Sequence, residues 1–257
     1  MTTNTNNWGK ENNKRFVAFL DIMGFKDRLT REGHDGTRKT LESLHLTLKD
    51  LKTKAQERIN KKVVNRFLDF GSTPISIIFP VSFSDSIILI SNDGSFETAK
   101  NLIFNVGSIM YEAIEHKIPM KGAIAYGEMT ADIKEEWPLY FGQPLIDAYE
   151  LHKELKVYGV VLHHTCEEHL SQLGYFTTRQ SIGVFKYSVP MECGEINHYV
   201  VNWVKIGELF GGTEILVNKL YNTVSGKPRI YVDNTIKFVR QIRENDVQLL
   251  NQRSLKA

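Results

Sequence analysis

Cysteine is scarce in this sequence, which contains only Cys166 and Cys193 among 257 residues. The small number excludes a disulfide-rich secreted scaffold and is typical of a reduced chain whose thiols are buried or idle. The excess of one charge is also small, since the formal net charge is +2 at pH 7. Because a nucleic-acid-binding domain normally carries a basic stripe, we expect no nucleic-acid partner.

Long apolar runs are missing as well. The stretches ISIIFPVSF and SIILI fall far short of the roughly 20 apolar residues that a helix needs to cross a bilayer. The opening residues, MTTNTNNWGKENN, are polar and lack the apolar segment of a signal peptide. We therefore expect a cytoplasmic protein without membrane contact, and we predict that residues 1–14 are disordered.

The remaining composition favours one folded unit. Apolar residues make up 42% of the chain and charged residues 24%, which allows a sizeable core. At this length one large domain is expected, or one domain with an extension. We assign residues 15–205 to the main domain and residues 206–257 to a C-terminal helical extension that packs on it.

The order of strand-like and helix-like segments predicts the fold. It begins β, α, β, β, α, β and continues with a further helix and further strands, which indicates an α+β fold with a ferredoxin-like βαββαβ sandwich. A hairpin is expected around Asp85, with Pro80 to Ser84 as its loop. The predicted strands are 15–22, 75–79, 86–91, 120–126, 157–163, 182–189 and 198–204, and the predicted helices are 37–60, 95–116, 144–156, a short one opened by a capping box at 165–168, 206–221 and 233–244.

Two aspartates stand at the ends of apolar strands. Asp21 closes VAFLD, and Asp85 lies in FSDS at the hairpin. Because the first strand of a ferredoxin-like sheet lies beside this hairpin, we expect the two carboxylates to converge. Together they could bind a pair of Mg²⁺ or Mn²⁺ ions, and Gly24 would let the following turn approach phosphate oxygens. Either aspartate alone is more often a helix cap or turn residue.

Four segments resemble, in the same order, the motifs of class III adenylyl and guanylyl cyclases. FVAFLDIMGF is similar to their first-strand motif F-x-D-I-x-G-F, and FSDSIILI resembles their second metal site. MKGAIAYGEM resembles their fourth strand, and LYFGQPLIDAYEL resembles the segment W-G-x-x-V-N-x-A-x-R. The resemblance covers residues 15–163. It implies the class III cyclase fold and a homodimer with active sites at the subunit interface.

The resemblance also implies roles for individual residues. Asp21 and Asp85 match the catalytic aspartates that hold two Mn²⁺ or Mg²⁺ ions, and the Ile22 carbonyl matches a backbone metal ligand. The reaction would be attack of the ribose 3′-hydroxyl on the α-phosphate with release of pyrophosphate. The expected substrate contacts are Ile22, Met23, Gly24, Phe25, Phe83, Tyr140, Phe141 and Lys186.

Two positions depart from the family pattern. The transition-state arginine and the ribose-orienting asparagine of the family fall at Glu150 and Ile146, and neither side chain can do that work. We expect another cation to replace the arginine. Lys186 is the first candidate, ahead of Lys121 and Arg66.

The base-reading positions differ as well. Val81 and Leu139 stand where the purine cyclases carry polar readers, and apolar side chains cannot discriminate by hydrogen bonds. This pattern is similar to the Pycsar pyrimidine cyclases of bacterial anti-phage defence, which have a Ser-Asp at the second metal site. The resemblance implies UTP, with CTP as the second choice, and a cyclic nucleotide that reaches a separate effector.

Other interpretations remain open. The chain could be a cyclase-like module that binds a nucleotide without turnover, or an ordinary purine cyclase. A palm-type polymerase or dinucleotide cyclase would share the sandwich, although no G-G-D-E-F motif is present. A regulator that binds a partner through the tail helices has no positive support. The group His163, His164 and His169 has no zinc-ligand spacing, and Asp93-Gly94 is expected to form a turn.

Overall fold

A computed structural model of the chain describes residues 14–60, 78–132, 138–177, 183–208 and 214–254. The predicted disorder of residues 1–14 and the candidate Arg66 lie outside these ranges, except that Lys14 belongs to the first strand. The elements are β1 (Lys14–Ile22), α1 (Phe25–Asn60), β2 (Ile78–Phe83), β3 (Ser86–Ser91), α2 (Phe96–Glu115), β4 (Met120–Asp132), β5 (Leu139–Gly142), α3 (Gln143–Glu154), β6 (Val160–Leu162), α4 (His164–Gln172), β7 (Val184–Met191), β8 (Gly194–Val201), α5 (Trp203–Glu208), α6 (Glu214–Lys219) and α7 (Arg229–Ser254).

The strands form one sheet in the order β2-β3-β1-β4-β6-β8-β7, and β5 pairs with the end of β4. The strands of the first βαββαβ unit are adjacent in the order β4-β1-β3-β2, which is the ferredoxin-like arrangement predicted from the sequence. β1 is the central strand of this unit and pairs antiparallel with both β3 and β4. Its residues from Phe16 to Leu20 are buried because neighbouring elements cover both faces of the sheet.

The β2–β3 hairpin is tighter than predicted. β2 continues through Pro80 to Phe83, so that only Ser84 and Asp85 form the turn. A proline inside a strand lowers the expectation of a strand, because it cannot donate a hydrogen bond to a neighbour. Among the strands that the structure describes, β2 is at the edge of the sheet, where a proline is acceptable on the side without a neighbouring strand.

Helix α1 begins twelve residues earlier than predicted, at Phe25 instead of Thr37. The two glycines of the segment REGHDGT read as helix breakers in the sequence. Gly33 does interrupt the helix, with φ of 70° and ψ of −177°, but a helical segment precedes it. This first segment places its N-terminus directly after the turn at Met23 and Gly24.

The C-terminal helices share the core of the sheet. Phe238 and Val239 of α7 are buried in the main hydrophobic cluster, and Phe238 contacts Trp203 at a ring-centroid distance of 6.3 Å. The hydroxyl oxygen of Thr235 accepts a hydrogen bond from the Tyr158 N–H at 2.9 Å. The predicted domain boundary between residues 205 and 206 falls inside α5, and the predicted helix 206–221 is represented by α5 and α6.

None of the helices in the described ranges combines the length and the apolar character that a membrane span requires.

The β1–β4 pairing depends on a glycine. A Cβ atom at Gly122 would lie 2.3 Å from the carbonyl oxygen of Phe19 and 2.7 Å from Cδ2 of Leu20. We therefore expect Gly122→Ala to lower the free energy of unfolding by about 2 kcal/mol, since overpacked cores relax only by shifting the backbone. Urea denaturation measures the change.

The matched control is Gly159→Ala, because the nearest atom to its added Cβ would be Cγ1 of Val200 at an ordinary 3.7 Å. The control should unfold near the wild-type midpoint. Equal midpoints for the two variants would contradict the packing argument.

Candidate active site

Asp21 lies near the end of β1 on the face of the sheet that α3 covers. Side chains alternate along a strand, so Asp21 shares this face with Val17 and Phe19. The ring of Phe19 contacts the rings of Tyr149 and His152 in α3, at centroid distances of 5.3 and 4.7 Å. Helix α3 therefore forms one wall beside Asp21.

The β2–β3 turn brings Asp85 to the same end of the sheet. Asp21 pairs with Ser86 in the β1–β3 register, and Asp85 directly precedes Ser86. The N–H of Ile22 donates a hydrogen bond to the carbonyl oxygen of Asp85 at 2.8 Å. The left-handed backbone of Ser84, with φ of 56°, makes the short turn possible. The structure thus brings together the two carboxylates singled out in the sequence.

The two acids interact electrostatically. Burial, followed by the negative charge of Asp85, raises the pKa of Asp21 to about 6, and the nearby Lys121 opposes this rise. In the ion-free protein, folding therefore disfavours the ionised form of Asp21. A cation bound between the carboxylates would reverse the effect, because an adjacent positive charge favours the ionised form.

Lys121 is the nearest fixed positive charge to Asp21. It faces Asp21 across the β1–β4 register and is only 6% exposed. Its ammonium group donates to the carbonyl oxygens of Lys153 and Leu155, at 3.2 and 3.3 Å, where α3 ends. Burial lowers the pKa of Lys121, and Asp21 counteracts the shift. Lys121 therefore stabilises both the helix end and the Asp21 carboxylate, a role that its strand pattern did not reveal.

The turn after β1 is only partly available to a phosphate group. The N–H of Met23 donates to the carbonyl oxygen of Pro119 at 2.8 Å, so it is already engaged. Gly24 adopts φ of 73° and starts α1 by accepting from the Arg28 N–H at 2.9 Å. The first N–H groups of a helix have no acceptor within it, so the groups from Phe25 onward are the ones suited to an anion. The buried side chain of Ile22 leaves only its backbone for the predicted contacts.

Of the predicted aromatic contacts, Phe83 lies beside the opening above Asp21 and Asp85, whereas Tyr140 and Phe141 on β5 pair with the far end of β4, nine or more residues beyond Lys121. Phe83 closes β2 beside the turn and is 78% exposed. Phe141 is exposed on β5, whereas Tyr140 points inward and stacks on Phe79 at 5.8 Å. Val81 is partly buried in the small cluster that includes Tyr140. Contact of Tyr140 or Phe141 with a ligand at the two aspartates therefore remains a prediction that requires a second subunit.

Lys186 lies far from this opening within one chain. It is on β7, four strands away from β1, which corresponds to about 19 Å at the usual strand spacing. Its charge acts on Glu167, whose pKa it helps to lower. The predicted substrate contact of Lys186 therefore remains a prediction that requires a second subunit.

The two positions that depart from the family pattern both face away from the sheet. Ile146 is 55% exposed, and Glu150 is paired with Lys153 at 2.5 Å on the surface of α3. The inward side of the same helix carries Pro144, Ala148 and His152. Burial lowers the pKa of His152 to about 4, so this imidazole is neutral at pH 7.

Several exposed apolar side chains lie on the elements near α3. The residues that share this property are Phe83, Leu139, Phe141, Ile146 and Tyr149, which we call the apolar face. They come from the β2–β3 turn, β5 and α3. Four of them follow one another along β5 and α3, and exposed apolar surface of this kind marks an interaction site more often than an isolated exposed residue does.

The histidines do not form a metal centre. His169 stacks on Tyr126 at 3.7 Å and contacts the Gly94 carbonyl oxygen at 2.7 Å. No cluster of three or more metal-ligating side chains occurs in the described part of the chain. The predicted capping box at residues 165–168 is wrong, because the residue that caps the start of α4 is His163. The Thr165 hydroxyl instead accepts a hydrogen bond from the Tyr126 N–H. Asp93 forms the expected turn by accepting from the Ser95 N–H.

Solved cyclase structures superpose on this chain. An adenylate cyclase of Trypanosoma brucei in its monomeric state gives a TM-score of 0.51 at 11% identity, over 81% of this chain and 96% of that one. The dimeric guanylyl cyclase domain of the RhoGC fusion protein from Blastocladiella emersonii gives 0.46 at 15% identity, over 76% and 98%. The adenylyl cyclase CyaB from P. aeruginosa gives 0.43 at 13% identity, over 73% and 93%.

The first of these superpositions confirms the predicted fold, an α+β domain of the class III cyclase type with a C-terminal helix. No protein-family model and no curated protein sequence matches the chain.

The raised pKa of Asp21 predicts that replacing this carboxylate stabilises the ion-free protein. An acid whose pKa is higher in the folded state loses stability as the pH rises from the ordinary value of 3.8 through about 6. In the presence of a chelator at neutral pH, Asp21→Asn should raise the free energy of unfolding by about 1 kcal/mol after allowance for solvent screening. The advantage should shrink towards pH 4.

Asp93→Asn provides a control of opposite sign. Hydrogen bonds from Ser95 and Thr98 and the charge of Arg15 outweigh burial and lower the pKa of Asp93, so its loss should destabilise the protein at neutral pH. Thermal unfolding with and without Mn²⁺ completes the test, because Mn²⁺ should stabilise the wild type and not Asp21→Asn. A neutral-pH destabilisation by Asp21→Asn would contradict the assignment.

Proposed function

We propose that this chain is a nucleotidyl cyclase that converts UTP, or as second choice CTP, to the 3′,5′-cyclic monophosphate and pyrophosphate. The proposal rests above all on the pairing of Asp21 with Asp85 at one end of the central strands. It is supported by the class III cyclase type of fold and by the four sequence segments that resemble the motifs of those enzymes.

The residues present fit a pair of Mn²⁺ or Mg²⁺ ions. The donors are the hard carboxylate oxygens of Asp21 and Asp85, with the Ile22 carbonyl as a further candidate. Mg²⁺ sites commonly use one or two carboxylates and complete their coordination with water and substrate phosphates, so a third acidic side chain is not required. Burial and, after it, the negative charge of Asp85 raise the pKa of Asp21, and bound cations would offset both effects by favouring the ionised form.

The chain would act mainly by positioning the triphosphate. The first N–H groups of α1 would hold phosphate oxygens, with Gly24 allowing close approach. When bound, the ions neutralise the phosphates and lower the pKa of the ribose 3′-hydroxyl. The hydroxyl would lose its proton to solvent and its oxygen would bond to the α-phosphorus, while the bond from that phosphorus to the bridging oxygen breaks and pyrophosphate leaves. Neutral His152 and tethered Lys121 would keep the wall beside Asp21 in place.

The pyrimidine assignment depends on the apolar character of the opening. Val81 and Leu139 cannot satisfy the hydrogen-bonding edge of a purine, whereas Phe83 of one subunit, with Tyr140 supplied by the other, could pack on a flat ring. The cyclic nucleotide would be a second messenger in bacterial anti-phage defence. It would be made in the cytoplasm and would reach a separate effector protein.

We further propose a homodimer in which the apolar face of each subunit covers the opening of the other. A two-fold arrangement would bury the exposed side chains and create two equivalent sites. It would also allow Lys186 of one subunit to approach the carboxylates of its partner.

A second candidate function is binding of a nucleotide without turnover. It is favoured by Ile146 and Glu150, which occupy the positions of the ribose-orienting asparagine and the transition-state arginine. A cyclase that lacks this arginine must find another cation for the developing charge.

Product analysis tests the activity. Purified protein with Mn²⁺ should turn UTP, and to a smaller extent CTP, into the cyclic monophosphate, identified by mass spectrometry. Asp21→Ala and Asp85→Ala should each reduce the rate by at least about 1000-fold, because each removes an essential ligand. Glu115→Ala, which changes an exposed acid at the end of α2, is the control.

The outcomes separate the interpretations. Cyclic AMP or cyclic GMP alone would refute the pyrimidine assignment, and full activity in either aspartate variant would refute the metal assignment. Bound but unreacted nucleotide would select the binding module.

The dimer is tested by placing a charge on the apolar face. Ile146→Lys should weaken self-association by about tenfold or more, because a buried unpaired ammonium at a subunit contact is costly. Leu29→Lys changes an equally apolar exposed residue on α1, outside this face, and should leave the association unchanged. Sedimentation velocity over a concentration series measures both, and equal behaviour of the two variants would contradict the proposed interface.

A further inference from the structure

A cavity of about 510 Å³ lies behind the turn that follows Asp21. Three parts of the chain form its walls: the β1–α1 turn with the start of α1, the loop between α2 and β4, and the segment that leads into α7. Neither Asp21 nor Asp85 lines it, although Met23 and Gly24 do. The cavity is therefore next to the proposed active site and separated from it by the turn.

The charged groups of this cavity are mainly positive. Arg28, Arg31 and Lys117 line it, and Asp27 is its acidic lining residue. The Arg28 guanidinium is fixed in position, because it donates to the Lys117 carbonyl oxygen at 3.0 Å and lies 3.5 Å from Glu32. A guanidinium held in this way is prepared to bind an anion with little loss of side-chain entropy.

The other two cations are available to a ligand. Arg31 pairs with Asp27 at 2.9 Å and with Glu32 at 3.6 Å, but the Arg31 and Asp27 side chains are more than half exposed. Exposed pairs contribute little, so a phosphate group can replace the Asp27 carboxylate at Arg31. Lys117 is exposed in the loop, and its side chain has no ion-pair partner among the residues that the structure describes.

The volume favours a molecule larger than a single inorganic anion. Sites for small organic ligands commonly measure about 300 to 1000 Å³, and this cavity lies in that range. Tyr231 supplies a flat, partly exposed wall, and its other contacts include the buried Tyr158 ring at 5.6 Å. Lys121 and Lys156 lie 5.6 and 5.7 Å from the Tyr231 ring, where Asp21 and Glu192 respectively balance their charges.

From these features we infer that the cavity binds a small organic phosphate, with Arg31 and Lys117 as the phosphate contacts and Arg28 as the fixed charge behind them. The occupant would contact α7 and the β1–α1 turn at once, and it would thereby connect the C-terminal helix with the turn after Asp21. The site does not depend on whether the chain turns over a nucleotide.

Binding of ribose 5-phosphate to the protein in the presence of a chelator tests this inference. Isothermal titration calorimetry should show one site per chain, and inorganic phosphate should bind the same site more weakly. Arg31→Gln and Lys117→Asn should each weaken ribose 5-phosphate by about tenfold, the usual effect of losing a charge-assisted hydrogen bond. Ser225→Trp should also block binding, because it fills the cavity without a change of charge.

Two controls decide where the ligand sits. Lys237→Gln removes an exposed charge from α7 outside the cavity and should have no effect. Asp21→Asn should leave the affinity unchanged, whereas an anion bound beside the two carboxylates would bind more tightly once one of them is neutral. Absence of binding, a stronger affinity in Asp21→Asn, or indifference to both Arg31→Gln and Lys117→Asn would overturn the proposal.

Discussion

The placement of Asp21 between β3 and β4 is the constraint on which the rest of the molecule depends. In this register Asp21 has Ser86 on one side and Lys121 on the other, and Asp85 reaches the same end through a two-residue turn. A slip of one residue in β1 would turn Asp21 towards the opposite face. The buried residues Phe16 to Leu20 prevent such a slip because both faces of β1 are packed.

This placement is unfavourable for the ion-free protein, and the surrounding structure compensates for it. Lys121 supplies an opposing charge and is held by carbonyl groups at the end of α3. The loop after α3 is in turn attached to α7, since the Asn234 amide donates to the Lys156 carbonyl oxygen at 2.8 Å. A continuous set of contacts thus runs from the C-terminal helix to the carboxylate. We infer that the extension contributes to the rigidity of the proposed active site as well as to the core.

Strongly periodic segments could be predicted from the sequence, and features decided by tertiary context could not. The helix predicted at 95–116 appears as α2 because its apolar spacing matches one buried face. The sequence predicted that this strand ends before Pro80, because a proline is acceptable inside a strand only at a sheet edge, and the edge position of β2 is known only from the structure. β5 has four residues, too few to show a period, and it forms by pairing with the end of β4. The hydrogen bonds from Lys121 to the end of α3 could not be predicted either, because the accepting backbone carbonyls lie more than 30 residues away in the sequence.

Helix α3 explains how the carboxylate pair can coexist with an altered recognition pattern. Its inward residues, including His152, pack against Phe19 and provide the carbonyl groups that hold Lys121. Its outward residues, including Ile146 and Glu150, touch neither of these groups and can change without disturbing Asp21. The departures from the cyclase pattern lie on the outward side of this helix, at Ile146 and Glu150, and on β2 and β5, at Val81 and Leu139. If the chain is a cyclase, its differences from purine enzymes therefore concern the recognition of the base and the contact between subunits, whereas the inner part of the site is the one that the fold itself stabilises.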